Sequence, residues 1–159
     1  MPRRSLKLYW QAECKELISA IASCIEQIYP GLQAVYAGEK NPGYYEYDTA
    51  RLQYDAAYML KNLPAEELAL WVVSVDIFHP GHIFLYGAAM GRRAIVSTSR
   101  SGKGEQLYKE ACHEVGHVLG LEHCRRKCLM NTSRNYTQLE KKPLSLCKQC
   151  QRELMALMA

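Results

Sequence analysis

The stretch His113-Glu114-Val115-Gly116-His117-Val118-Leu119-Gly120-Leu121-Glu122-His123 decides how this 159-residue chain is read. On a helix, residues four apart share a face, so His113 and His117 can present two imidazole nitrogens to one metal ion. Leu107, Ala111, Val115 and Val118 give the same helix an apolar face to anchor it. Gly120 can adopt the left-handed conformation that ends a helix and reverses the chain. That reversal lets His123 return as a third ligand, where continued helix would carry it away. Three imidazoles and one open position are the donor set of a catalytic zinc, because a structural site is closed by a fourth protein ligand. Glu114 stands beside the first histidine, within reach of a water on that metal. Zinc brings the pKa of such a water toward about 7. Glu114 is therefore expected to take its proton as general base and later return it to the departing amine as general acid.

Directly after His123 the chain turns to cysteine. Four of its seven cysteines, Cys124, Cys128, Cys147 and Cys150, lie in this last part. Two close cysteines, a longer gap and then C-x-x-C is metal-ligand spacing. Four thiolates close a tetrahedron and leave no place for substrate, so a second, structural zinc is expected there. Because His123 and Cys124 are adjacent, that ion would hold the loop that delivers the third catalytic ligand. Cys14, Cys24 and Cys112 are scattered and read as core residues.

The extended pattern H-E-x-x-H-x-x-G-x-x-H is the metzincin signature. Followed by Cys124, by Cys128-Leu129-Met130 and by Cys147-Lys148-Gln149-Cys150, it resembles the archaemetzincins, and the likeness extends upstream through the FLYGAA and AIVSTSR segments. The resemblance implies an α/β fold: a mixed, twisted β-sheet, an active-site helix and a small C-terminal lobe bound by zinc. It implies two zinc ions per chain: a catalytic one on His113, His117 and His123, and a structural one on Cys124, Cys128, Cys147 and Cys150. It makes Glu114 the general base and acid, and Met130 the methionine of the turn beneath the metal. The implied reaction is hydrolysis of peptide bonds, with aminopeptidase action on short peptides allowed. Peptide is thus the expected partner, and a monomer the expected state.

Working outward, the size fits one domain over residues 1–159, with lobes at 1–119 and 120–159 meeting at the histidine segment. Residues 6–11 and 32–37 read as strands flanking a helix over 12–29, which Pro30-Gly31 stops. Residues 38–49 read as an irregular loop and 50–62 as a helix. Residues 68–78 are almost continuously apolar, which predicts a strand buried on both faces. His79-Pro80-Gly81 reads as a turn, and 82–87 and 93–98 as strands. Phe84–Gly87 is the expected edge of the cleft, where an extended substrate adds main-chain hydrogen bonds. A long helix follows from about 105 to 119, and the tail beyond Gly120 lacks strand patterns. His79 and His82 are assigned to the turn, Tyr136 to an ordinary buried or surface position, and Tyr44-Tyr45-Glu46-Tyr47 to a surface loop.

No stretch approaches the roughly 20 apolar residues of a membrane span. The N-terminus breaks into polar residues before an apolar signal core forms, so a cytoplasmic location is expected, and no prodomain is visible, so latency by a blocking pro-segment is not expected. Between residues 124 and 150, seven Lys or Arg face one acid, Glu140. Thiolate charge on a structural zinc accounts for them, and nucleic-acid binding is not expected. Two other readings stay open on the residues alone: a zinc-dependent binding module with a vestigial centre, and a basic zinc-ribbon nucleic-acid binder.

Overall fold

The computed structural model describes residues 2–159. Its framework is a five-stranded sheet in the order β2-β1-β5-β8-β7, with β1 at Arg4–Trp10, β2 at Leu32–Glu39, β5 at Leu68–Val73, β7 at Gly87–Met90 and β8 at Arg93–Ser97. The pairings of β1 with β2, of β1 with β5 and of β5 with β8 are parallel, whereas β7 runs antiparallel to β8 at the sheet's edge. A three-stranded sheet of β3 (Tyr47–Asp48), β4 (Gln53–Asp55) and β6 (Ile77–Phe78) lies beside it.

β5 shows why the sequence folds this way. All six of its residues are buried. Leu68, Leu70 and Val72 join the larger core with α1 (Ile18–Ile28) and α4 (Glu105–Val118), whereas Ala69, Trp71 and Val73 join a smaller one with α2 (Ala56–Lys61). The period-two alternation of a strand thus feeds two apolar layers, so the run carries no polar face. α4 reaches the larger core through Leu107, Ala111, Val115 and Val118, the face read from the sequence.

The C-terminal residues belong to the same core. Leu129, Met130, Leu146 and Leu154 are buried in it together with Cys128 and Cys150. Two short helices complete this part, α5 at Tyr136–Lys141 and α6 at Lys148–Met158. The buried Lys109 of α4 donates to Glu140 O at 2.7 Å, pinning the end of α5 to α4.

Several boundaries differ from the sequence reading. Residues 12–17 form a 3₁₀ turn ahead of α1, and β4 occupies 53–55 where a helix was expected from residue 50. The apolar run 68–78 is interrupted after Val73, and Ile77-Phe78 moves to the small sheet. Most relevant to the cleft, Ile83-Phe84-Leu85 is not a strand. It makes a single bridge, Leu85 to Ile77, and the ladder begins only at Gly87, so the edge strand is Gly87–Met90 rather than Phe84–Gly87. α3 (Thr98–Ser101) fills the connection from β8 to α4, with Ser97 capping its start. Among the described residues, no helix is long and apolar enough to cross a membrane.

Candidate metal centre and cleft

α4 ends as its sequence demands. Gly120 has φ of 106°, its N–H donates to His117 O at 3.0 Å, and the N–H of Leu121 donates to Gly116 O at 2.9 Å. These two bonds are the Schellman closure, which satisfies carbonyls a helix end otherwise leaves unpaired. The same reversal serves the site twice. It returns the chain so that His123 stacks on His113, with centroids 5.4 Å apart, and it brings Leu121 O to 2.8 Å from His117 Nδ1.

His113 is held in the same way: its Nδ1 lies 2.9 Å from Leu129 O. A carbonyl only accepts, so each Nδ1 carries the proton and each Nε2 keeps a free lone pair. Those two Nε2 atoms face one another at 3.2 Å. Two lone pairs this close repel unless a cation stands between them. Zinc–nitrogen bonds of about 2.0–2.1 Å in a tetrahedron set neighbouring nitrogens roughly 3.3–3.4 Å apart, so the residues present fit the ion. His123 completes the group, whose candidate ligand atoms all lie within 4.8 Å of one another. Burial holds His113 neutral, pushing its pKa down to about 4, and lowers that of His117 as well.

Glu114 is 5% exposed, and burial with the nearby charge of Glu110 raises its carboxyl well above the usual range, opposed by Lys142. It lies against the edge strand. A Cβ on Gly87 would stand 3.0 Å from Glu114 Cγ and 3.2 Å from its Oε2. Glu110, one turn earlier on α4, is buried too, and Lys142 brings its Nζ to 3.3 Å from His113 Nδ1. None of these three residues is marked as functional by the sequence pattern. Glu110 had a usable signal, since a second acid at the i−4 position shares the face of Glu114, but Lys142 and Gly87 arrive from distant parts of the chain.

Met130 is fully buried beneath the helix, and Gly116 explains how it fits. A Cβ there would meet Met130 Sδ at 2.5 Å and Tyr29 Oη at 2.8 Å. The tyrosine hydroxyl donates to Cys112 O at 2.6 Å.

The four C-terminal cysteines form a second cluster, also with Sγ atoms within 4.8 Å of one another. Cys124 Sγ and Cys147 Sγ are 3.8 Å apart. A disulfide needs about 2.05 Å, whereas zinc–sulfur bonds of about 2.3 Å give tetrahedral edges of roughly 3.8 Å. Backbone N–H groups point at the sulfurs: Arg126 to Cys124, Met130 and Cys147 to Cys128, and Cys150 to Cys147, all at 3.3–3.4 Å. Such donors favour thiolate, and the Cys150 N–H holds Cys147 down at about 7. Cys124 N donates to Met130 O at 2.9 Å, so the cysteine loop, the methionine turn and the third histidine form one unit.

The histidines open on a cleft of about 1080 Å³. β7 forms one wall, the 79–86 loop and Thr132–Arg134 others, and Glu110 and Glu114 lie inside. His79 and His82 do sit in a turn, with His82 N donating to His79 O at 3.0 Å, yet both line this cleft. Tyr136 is half-exposed at the start of α5, outside the lining.

A metal-ready helix terminus facing an open cleft with a free strand edge has the form of a zinc metallopeptidase. Comparison with known proteins gives the family: the model described as Peptidase family M54 matches residues 66–156, and the chain belongs to that family. It is 38% identical over 112 residues to archaemetzincin of Archaeoglobus fulgidus, covering 65% of this chain and 70% of that protein. It is 31% identical over 152 residues to archaemetzincin of Halobacterium salinarum, covering 82% and 87%. The crystal structure of the Archaeoglobus fulgidus archaemetzincin complexed with malonate superposes with a TM-score of 0.86 at 29% identity, over 94% of this chain and 99% of that one. The chain is therefore a zinc metallopeptidase, with the mixed α/β fold of the archaemetzincins.

Proposed function

We propose that the chain hydrolyses peptide bonds with Glu114 as general base and then general acid, beside a zinc held by His113, His117 and His123. A second zinc is held by Cys124, Cys128, Cys147 and Cys150, and residues 1–159 work as one domain. The observation that carries this reading is the buried Glu114 side chain, which lies against the free edge strand on the same helix that brings two imidazole nitrogens to 3.2 Å from one another. Nitrogen and sulfur spacings that match tetrahedral zinc edges support the two ions, and Met130 supports the first as the packing residue beneath it.

When bound, zinc supplies Lewis acidity that acidifies a water and polarises a carbonyl. The protein does the rest. One edge of β7 is paired with β8 and the other faces the cleft, so its unpaired N–H and C=O groups can hold an extended peptide as an added strand. Held there, the scissile amide passes over Glu114, which lies against the first residue of that strand. Burial strengthens Glu114 as a base: a carboxylate with a raised pKa accepts a proton from water more readily. Its Oε2 takes the proton as the water attacks and gives it to the departing nitrogen. The carbonyls of Leu121 and Leu129 keep both imidazoles in the tautomer that leaves Nε2 free throughout.

Glu110 supports aminopeptidase action on short peptides, because it is a second carboxylate in the cleft and can take the ammonium of a free N-terminus. N-acetylation of the peptide is then expected to abolish most cleavage. The test of the whole reading is Glu114→Gln. It keeps the size of the side chain and removes the base, so zinc content is expected to hold while hydrolysis is lost. Unchanged turnover would refute it.

A further inference from the structure

We propose that Tyr86 is a further catalytic residue, its phenol donating a hydrogen bond to the substrate carbonyl oxygen as that oxygen takes on negative charge. This rests on the reading of the cleft as a peptidase site.

The other well-buried phenol at the site is satisfied: Tyr29 donates to Cys112 O at 2.6 Å. Tyr86 differs. The residue is only 7% exposed, and among the described residues its hydroxyl has no hydrogen-bond partner. Nor is that hydroxyl sealed in the protein, since the sealed, unpartnered side-chain polar atoms are Arg93 Nε and Ser133 Oγ. A buried ring whose one polar atom is neither bonded nor enclosed presents that atom to the cleft it lines.

The ring is also fixed. It packs edge-on against Phe84, with centroids 5.2 Å apart at 84°. The Arg100 guanidinium lies 4.4 Å over the same Phe84 ring and donates twice to Asp76, at 3.0 and 2.8 Å. Tyr86 O accepts from Ser97 N at 2.9 Å, and the next residue is Gly87, which touches Glu114. The phenol therefore enters the cleft immediately before the strand that positions the general base. Glu110 is the carboxylate in electrostatic range. Burial first, and then Glu110, keep the phenol above its ordinary pKa against the opposing charge of Arg100, hence protonated and able to donate. A rigid, protonated, unpartnered donor of this kind stabilises charge that develops during reaction without reorganising first.

The test is Tyr86→Phe, which keeps the ring stack and removes only the hydroxyl. Zinc content and melting temperature are expected to stay at wild-type values. kcat is expected to fall about 10²-fold, the scale of losing one oxyanion donor, with KM moving less than about threefold. Calorimetric affinity of the zinc-loaded protein for a phosphinic pseudopeptide, a tetrahedral mimic, is expected to fall by a similar factor. Unchanged kcat and unchanged phosphinic affinity overturn the role of Tyr86, as does a loss confined to KM. A wild-type protein that neither cleaves peptides nor binds the phosphinic peptide overturns the peptidase reading itself, and this inference with it.

Discussion

Replacing Gly87 by alanine adds one methyl group where the edge strand crosses Glu114, the proposed general base. The new carbon would lie 2.8 Å from Ile95 O, 3.0 Å from Glu114 Cγ and 3.2 Å from Glu114 Oε2, against an ordinary contact of 3.4 Å or more. Ile95 O is backbone in the neighbouring strand and does not yield, so relief needs about 0.6 Å of movement by β7, and the Glu114 side chain must give by a few tenths of an ångström as well. Overpacking of this kind costs about 1–3 kcal/mol, or roughly 2–12 °C in melting temperature for a chain of this size. The catalytic effect should be larger in proportion, since a displacement approaching 1 Å at a reacting group can cost about 10²-fold in rate. The variant is assayed for zinc content, melting temperature and kcat on a peptide substrate. Zinc is expected to hold because no histidine moves, while kcat falls. Shortening Glu114 relieves the side-chain part of the clash though not the contact with Ile95 O, so Glu114→Asp is expected to cost less on the Gly87→Ala background than on wild type. Wild-type kcat in Gly87→Ala, or strictly additive losses in the double variant, would refute the contact between strand and base.

The cysteine cluster and the methionine turn give two further outcomes. Cys147→Ser is expected to release the structural ion and, through Cys124 and His123, to weaken catalytic zinc affinity as well, measured by competition with a chelator. Gly116→Ala drives a methyl into Met130 and into a bonded Tyr29 hydroxyl, and is expected to cost about 1–3 kcal/mol in denaturant unfolding. The metal-free protein should also show His113 in its pH dependence. The pKa in the fold is depressed from 6.5 to about 4, so the unfolded chain binds the extra proton between those values. The neutral histidine's contribution is present above pH 6.5 and lost as pH falls to about 4. At 1.36 kcal/mol per unit this is about 3 kcal/mol, absent in His113→Asn.

The candidate metal-binding segments are legible because their chemistry is local in sequence. Spacing puts His113 and His117 on one face, and the identity of Gly120 encodes the reversal that returns His123. C-x-x-C and the Cys124–Cys128 pair are similarly self-announcing. The cleft wall is not. Ile83, Phe84 and Leu85 have the composition of a strand, yet they lie in a loop held by side chains from elsewhere: Gln53 donates to Ile83 O at 2.8 Å and Arg100 covers Phe84. The real edge strand, Gly87-Ala88-Ala89-Met90, begins with three small residues of weak strand propensity. Its Gly87 is small because Glu114 lies against it, a tertiary contact that no local pattern contains. Lys142 reads as an ordinary surface lysine in a basic stretch, and only the packing of the C-terminal segment buries it beside His113.

Zinc per chain, measured in the wild type and in His117→Ala, tests the account most directly. Three histidines and four cysteines spaced as two tetrahedral donor sets predict two ions in the wild type. The histidine variant should keep one, bound by sulfur alone, and lose peptide hydrolysis. A wild type with one ion, or a histidine variant that keeps both ions and its activity, would contradict the account.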